Sequence, residues 1–230
     1  MATASVRLSA GPSSLDDVLA VARGAAVVLA DDAVASVGAS RQVVEDAIAR
    51  GDAVYGVTTG LGHARNQRLP MDALVALQPM FVEMHVGAIG DPLPAEFVRA
   101  AMAVRAIGFV RGGAGVSLGL VEGLVALLNH GITPVVPRHG SVGAGDLNQM
   151  AVVGQALLGR GEVEVAGRRV PAGGALEDAG LDPVTMQPKD GLAIVAGNAI
   201  SIGAGILVAD RLERLLRFAD LVVATAMEAM

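Results

Sequence analysis

The sequence predicts a mainly α-helical chain with a small mixed α/β region at its N-terminal end. Three observations carry that prediction. From residue 71 onward, apolar residues recur at helical spacing through several segments separated by Gly and Pro. The composition is 53% hydrophobic but only 2% aromatic. Ala, Val, Leu and Gly must therefore fill the core, which suits closely packed helices. The first 70 residues differ: a short β-branched run sits between helical stretches and is followed by a glycine-rich loop.

The elements follow in order. Ser13-Ser14 ahead of Leu15-Asp16-Asp17 reads as a helix N-cap with acids in the first turn, and Gly24 stops that helix. Residues 25–29 read as a strand. A second helix starts near Asp32, re-caps at Ser40, turns Val43, Val44, Ala47 and Ile48 to one face, and ends at Gly51. Residues 55–70 read as a loop containing Gly56, Gly60 and Gly62. Helices are expected over 72–86, 94–111, 117–129 and 146–158, and a small hairpin over 163–170. Residues 189–230 read as helical and strongly apolar, running out at Leu221-Val222-Val223-Ala224 without a stop signal. Such a helix must pack against something else. The shift near residue 71 divides the chain into 1–70 and 71–230.

Bulk chemistry excludes several functions. The net charge is −6, so no basic surface favours nucleic acid. No cysteine is present, which removes thiolate nucleophiles and cysteine-ligated metals, and the four histidines lack zinc-motif spacing. The N-terminus lacks the pattern of a secretory signal, so a cytoplasmic location is expected. Residues 191–209 carry no charge and reach membrane-span length, but Asn198, Ser201 and several glycines favour a buried bundle helix over a membrane partner.

The most informative run is Gly140-Ser141-Val142-Gly143-Ala144-Gly145-Asp146-Leu147. Three further motifs accompany it: Tyr55-Gly56-Val57-Thr58-Thr59-Gly60-Leu61-Gly62, the stretch from Leu77-Gln78 through His85 to Gly90-Asp91-Pro92, and Lys189-Asp190-Gly191-Leu192-Ala193. In this order they resemble the aromatic amino-acid ammonia-lyases, the histidase and phenylalanine ammonia-lyase superfamily, over its N-terminal half. The resemblance implies long helices that join a multi-subunit bundle, an amino-acid-like substrate, and a tetramer with active sites shared between subunits. It implies Tyr55 as the base for the β-proton, and His85 and Gly62 as substrate-side residues. In the family the signature is Gly-Ser-Val-Gly-Ala-Ser-Gly-Asp-Leu. Its Ala-Ser-Gly cyclises and loses water to give the electrophilic methylidene-imidazolone.

Here Ala144 is followed directly by Gly145. Ser141 precedes Val142 and does not rebuild the tripeptide, so no methylidene-imidazolone and no other cofactor is expected. Elimination would then need a good leaving group, such as a quaternary amine. The family's Asn-Gly-Thr is replaced by Ala196-Gly197-Asn198. This places the amide two residues late, roughly 200° around a continuous helix. These departures resemble a subset without the prosthetic group, which includes the lyase that removes trimethylamine from the histidine betaine ergothioneine.

Individual residues keep competing readings. A phenol acts as a base at neutral pH only as phenolate, which Arg65 and loop N–H groups would have to stabilise; a structural tyrosine needs one hydrogen bond. His85 reads as either a core histidine or a substrate contact, Asn198 as either a satisfied buried amide or a site residue. His63 reads as loop surface, His130 as a cation at a helix C-terminus, and His139 is undecided. The Gly143-Ala144-Gly145 turn offers backbone N–H groups to a carboxylate at a helix start, and Asp146 fits an N-cap. The chain is about half as long as typical family members. Three functions stay open: a C–N lyase free of the prosthetic group, a non-catalytic or complementing half of a split enzyme, and a conventional lyase from which the serine has been removed.

Overall fold

A computed structural model describes residues 5–60 and 66–230. Helices dominate, as the apolar spacing requires. Strand β1 (Ser5–Leu8) pairs in parallel with β2 (Ala26–Leu29), and α1 (Leu15–Ala22) makes the crossover. Ser14 caps α1 in a reciprocal box with Asp17. The sequence pattern signalled β2 but not β1. The Asn129 side chain bonds both Val27 N–H and C=O, at 2.7 and 2.9 Å, and occupies the open edge of β2.

Helix α2 (Asp31–Arg50) is continuous, with Gly51 at φ 68° as its left-handed stop. The expected re-capping at Ser40 does not occur. The Ser40 hydroxyl instead accepts from Gly113 N and Gly115 N, both at 2.9 Å, and pins the 111–117 turn to α2. Next come α3 (Met71–His85), β3 (Ile89–Pro92), α4 (Ala95–Val110) and α5 (Leu118–Asn129), each within two residues of its expected bounds where one was expected. After β4 (Thr133–Pro134) and β5 (Pro137–His139) comes α6 (Leu147–Leu157). The hairpin pairs β6 (Glu162–Val165) with β7 (Arg168–Pro171) across Ala166-Gly167, both at positive φ as a type I′ turn requires. β4 adds a third strand to it, and α7 (Ala172–Asp178) follows.

The buried core runs without a break from Val6 to Leu207 and is filled mainly by Ala, Val and Leu, as composition dictates. Arg99 is a buried charge inside it. Its guanidinium donates to Val21 O and Leu128 O, near the C-terminal ends of α1 and α5, where helix dipoles favour a cation. Burial pushes its pKa below the usual arginine value.

The C-terminal region departs from the expected single helix. α8 (Asp190–Val195) ends at Ala196, and α9 (Ala199–Glu228) restarts after Asn198. By length and composition this region is apolar enough to cross a membrane. The first part of α9 instead lies along α4 through Ala199, Ile200, Gly203 and Leu207. Beyond Leu207, exposed Leu212, Leu215, Leu216, Phe218, Leu221 and Val222 follow. Surface ion pairs Arg211–Glu96, Arg214–Asp210 and Arg217–Glu213 decorate the same helix.

Gly203 sets the α4–α9 distance. A Cβ there would sit 2.8 Å from Ala101 N and 3.0 Å from Ala100 C, while Gly205 faces open space. Gly203→Ala is expected to cost about 1–3 kcal/mol through overpacking. Gly205→Ala should be neutral or gain up to ~1 kcal/mol from helix propensity. Urea unfolding of the two variants checks this, and equal effects would contradict the packing.

Candidate active site

The signature loop is held from three sides. β3 and β5 pair antiparallel, with Ile89 opposite His139, and bring the segment after His85 against residues 139–141. The contact is tight: a Cβ on Gly140 would lie 2.9 Å from both Ala88 Cβ and Gln149 Cγ. The His139 ring packs over Gly90, where a Cβ would meet it at 2.8 Å. Gln149 is buried and donates through Nε2 to Pro137 O and Arg138 O. Within the loop the Ser141 hydroxyl accepts from Gly143 N at 3.2 Å. Val142 at the tip is 92% exposed, so the loop presents itself outward.

Asp146 occupies the N-cap position of α6, but its side chain makes no capping bond to that helix. This corrects the expectation of a simple N-cap. The carboxylate is fully buried and accepts from Ser201 N at 2.8 Å and Ser201 Oγ at 2.7 Å. It therefore satisfies the start of α9, where an anion meets the positive end of the helix dipole. Its own N–H donates to Gly197 O at 2.8 Å. One residue thus ties the signature loop to the break between α8 and α9. Two of the loop's amides, Gly143 N–H and Asp146 N–H, are engaged within the chain.

The Lys-Asp-Gly motif is wired the same way. Asp190 is fully buried and accepts from Ser117 N, Ser117 Oγ and Gln187 N. Burial raises its pKa, and the Ser117 and Gln187 bonds oppose that rise. Gly191 N–H donates to buried Gln78 Oε1 at 3.0 Å. A Cβ on Gly191 would lie 2.5 Å from Gln78 O, so α3 and α8 touch backbone to backbone there.

Asn198 is exposed at the N-cap of α9, with no side-chain capping bond. The reading of a buried amide within a continuous helix is corrected. The break at 196–198 also removes the helical geometry behind the 200° displacement. Arg105 on α4 supports the turn by donating through Nη2 to Ala196 O at 2.7 Å.

His85 is half-buried at the end of α3. Its Nδ1 lies 2.8 Å from Phe81 O, and its ring packs against Phe81 at a 48° tilt, 4.4 Å between centroids. A carbonyl only accepts, so Nδ1 carries the proton and Nε2 is the ring atom left for other chemistry. Tyr55 is 52% exposed in the loop after α2. Val54 and Val57 beside it line a groove of about 520 Å³ that also includes Gly113, Ala114 and Lys189, so the tyrosine loop and the start of α8 share one wall. Gly62, His63 and Arg65 lie outside the described residues. His130 is the C-cap of α5. Among the described residues no cluster of His, Asp and Glu could hold a metal.

Comparison with known proteins fits this arrangement. The family model for aromatic amino acid lyase matches residues 13–230. The chain belongs to that family. Histidine ammonia-lyase from Gloeobacter violaceus is 40% identical over 218 residues, covering 94% of this chain but 42% of that protein. The crystal structure of ergothionase from Treponema denticola, in complex with desmethyl-ergothioneine sulfonic acid, superposes with a TM-score of 0.88 at 32% identity, over 92% of this chain and 43% of that one. Histidine ammonia-lyase from Trypanosoma cruzi gives a TM-score of 0.87 at 28% identity, over 94% and 42%. The chain therefore spans less than half the length of these relatives.

The aromatic amino acid lyase signature implies a methylidene-imidazolone, and the residues present do not fit it. The group needs a serine between Ala144 and Gly145 to lose its hydroxyl, and these two are directly bonded. Ser141 lies outside that position and holds Gly143 N instead. The motifs give no role to Gln78, Ser117, Arg105 or Ser201. Each is a polar residue in an apolar stretch, and that contrast is the only sequence signal they give.

Proposed function

We propose that this aromatic amino acid lyase chain is part of a C–N lyase that eliminates an amine from an amino-acid-like substrate without a methylidene-imidazolone group. One observation carries the reading: the signature loop, the segment after His85 and the Ala196–Asn198 turn converge through β3–β5 pairing, the Gly140–Ala88 contact and the bonds of Asp146. Tyr55 takes the β-proton, and His85 Nε2, Asn198 and Gly62 contact the substrate. The free amides of Ala144 and Gly145 at the start of α6 receive a carboxylate. With no electrophile to capture the amine, the leaving group must depart on its own, as a quaternary ammonium does. The likeness to ergothionase supports that substrate class.

We further propose that activity requires the part of the fold these residues do not supply. The exposed apolar side chains of α9 from Leu212 to Met227 and the coverage of 42–43% of the relatives support this reading. The complement is a second polypeptide or further chain, and the assembly is oligomeric and cytoplasmic.

The test is co-expression with a polypeptide equivalent to the remaining part of the relatives. An assembled complex should release amine and an α,β-unsaturated acid. A stable complex that yields neither, across histidine and its trimethylammonium betaine, would overturn the proposal.

A further inference from the structure

A second cavity lies between α8 and Arg105 of α4. Its volume is about 310 Å³, and Arg105, Lys189, Leu192, Ala193, Ala196 and Gly113 line it. Two of these are cations, and the remainder are small or apolar.

Arg105 is under-used by its surroundings. Nη2 donates to Ala196 O, and the guanidinium stacks over the Phe109 ring at 4.5 Å. Its Nε is buried with no acceptor. Among the described residues no carboxylate lies within ion-pair distance of it. A guanidinium offers five N–H donors, and leaving a buried donor unmet costs about 1–3 kcal/mol. Desolvation pushes its pKa down to about 10. Gly197 makes the space: a Cβ there would lie 2.7 Å from Nη1.

Lys189 adds the second charge. It is a non-glycine residue at φ 89°, a conformation that costs energy and is kept only where the surroundings enforce it. Its ammonium makes no ion pair among the described residues. Asp190, next in the chain, turns inward to Ser117 and Gln187. Arg41 is occupied by Glu45 and by Pro188 O.

We propose that this cavity is a carboxylate site, with Arg105 and Lys189 binding the anion and Leu192, Ala193 and Ala196 receiving an apolar body. A planar guanidinium pairs bidentately with a carboxylate, and the ammonium adds a point charge at the same group. The carboxylate comes either from a dissolved ligand or from a side chain of the polypeptide that completes the enzyme. The inference stands apart from the elimination reading, because its readout is binding and not turnover.

The probe is sodium benzoate, titrated into the chain by calorimetry at constant ionic strength, with benzamide as its neutral counterpart. Benzoate should bind saturably and benzamide should not. Lys189→Gln and Arg105→Gln should each weaken benzoate about tenfold. Arg105→Gln removes the support of the Ala196 turn and risks misfolding; Lys189 bonds the chain through its backbone O to Ala193 N and not through its ammonium, so Lys189→Gln keeps the test decisive. Absence of saturable binding up to about 50 mM, equal binding of benzamide, or unchanged affinity in a folded Lys189→Gln would overturn the proposal. In the co-expressed complex, loss of benzoate binding identifies the completing polypeptide as the source of the carboxylate, and its retention identifies a dissolved ligand.

Discussion

Tyr55→Phe is expected to lower kcat of the assembled enzyme by about 10²–10⁴-fold, the usual range for loss of a positioned general base. The fold is expected to be retained, since Tyr55 is 52% exposed and the substitution removes one oxygen. Substrate affinity should hold within a few-fold, because the hydroxyl acts on the proton in flight and not on the bound ground state. Steady-state kinetics and thermal unfolding of the same preparation separate these outcomes. A variant that keeps near-native kcat would remove Tyr55 from the mechanism. One that fails to fold would make it a structural tyrosine.

Asp146→Ala is expected to have the largest effect on stability. It deletes a buried carboxylate that accepts two bonds from Ser201 at the start of α9. Each bond to a charged acceptor contributes about 1.5–3 kcal/mol. A loss of at least about 3 kcal/mol is therefore expected, and denaturant unfolding measures it. Ser201→Ala should lose only the hydroxyl bond and cost about 1 kcal/mol. Additive losses in the double variant would contradict a shared interaction. The effect should also reach the site, because the lost Ser201 bonds join the start of α9 to the residue that closes the signature loop. An enzyme assembled from Asp146→Ala is expected to lose kcat even where the complex still forms.

Much of the fold was legible from periodicity and caps. Ser14, Gly51 and Ser117 marked helix ends because each supplies a local hydrogen bond or a left-handed turn that no distant residue needs to provide. What escaped was set by tertiary partners. β1 forms because β2 stands beside it. The break at Ala196-Gly197-Asn198 lies in an apolar run with no proline, and Asp146 and Arg105, far away in sequence, hold it. Ser40 looked like a helix cap, and its hydroxyl instead serves two glycine amides 73 and 75 residues later.

The candidate site shows the same division. Motifs named Tyr55, His85, Ser141 and Asp146 because the residue types and their order carry information. Roles depended on geometry. Asp146 proved to be the anchor of α9, and Asn198 an exposed turn residue. The polar residues that interlock the motifs, Gln78 on Gly191 and Ser117 on Asp190, could not be read without their partners. Buried polar pairs of this kind fix one arrangement of helix ends because any slip leaves a donor or acceptor unmet.

The missing serine carries the central claim, and leaving-group dependence tests it most directly. The measurement compares kcat/KM of the assembled enzyme for one carbon skeleton bearing a trimethylammonium group and the same skeleton bearing a primary amine, with unsaturated acid as the common product. An enzyme without the electrophilic group should turn over the quaternary compound and leave the primary amine essentially untouched, a difference of at least ~10³-fold. Comparable rates for the two would contradict the account, since an unactivated amine leaves that fast only with an electrophile to capture it.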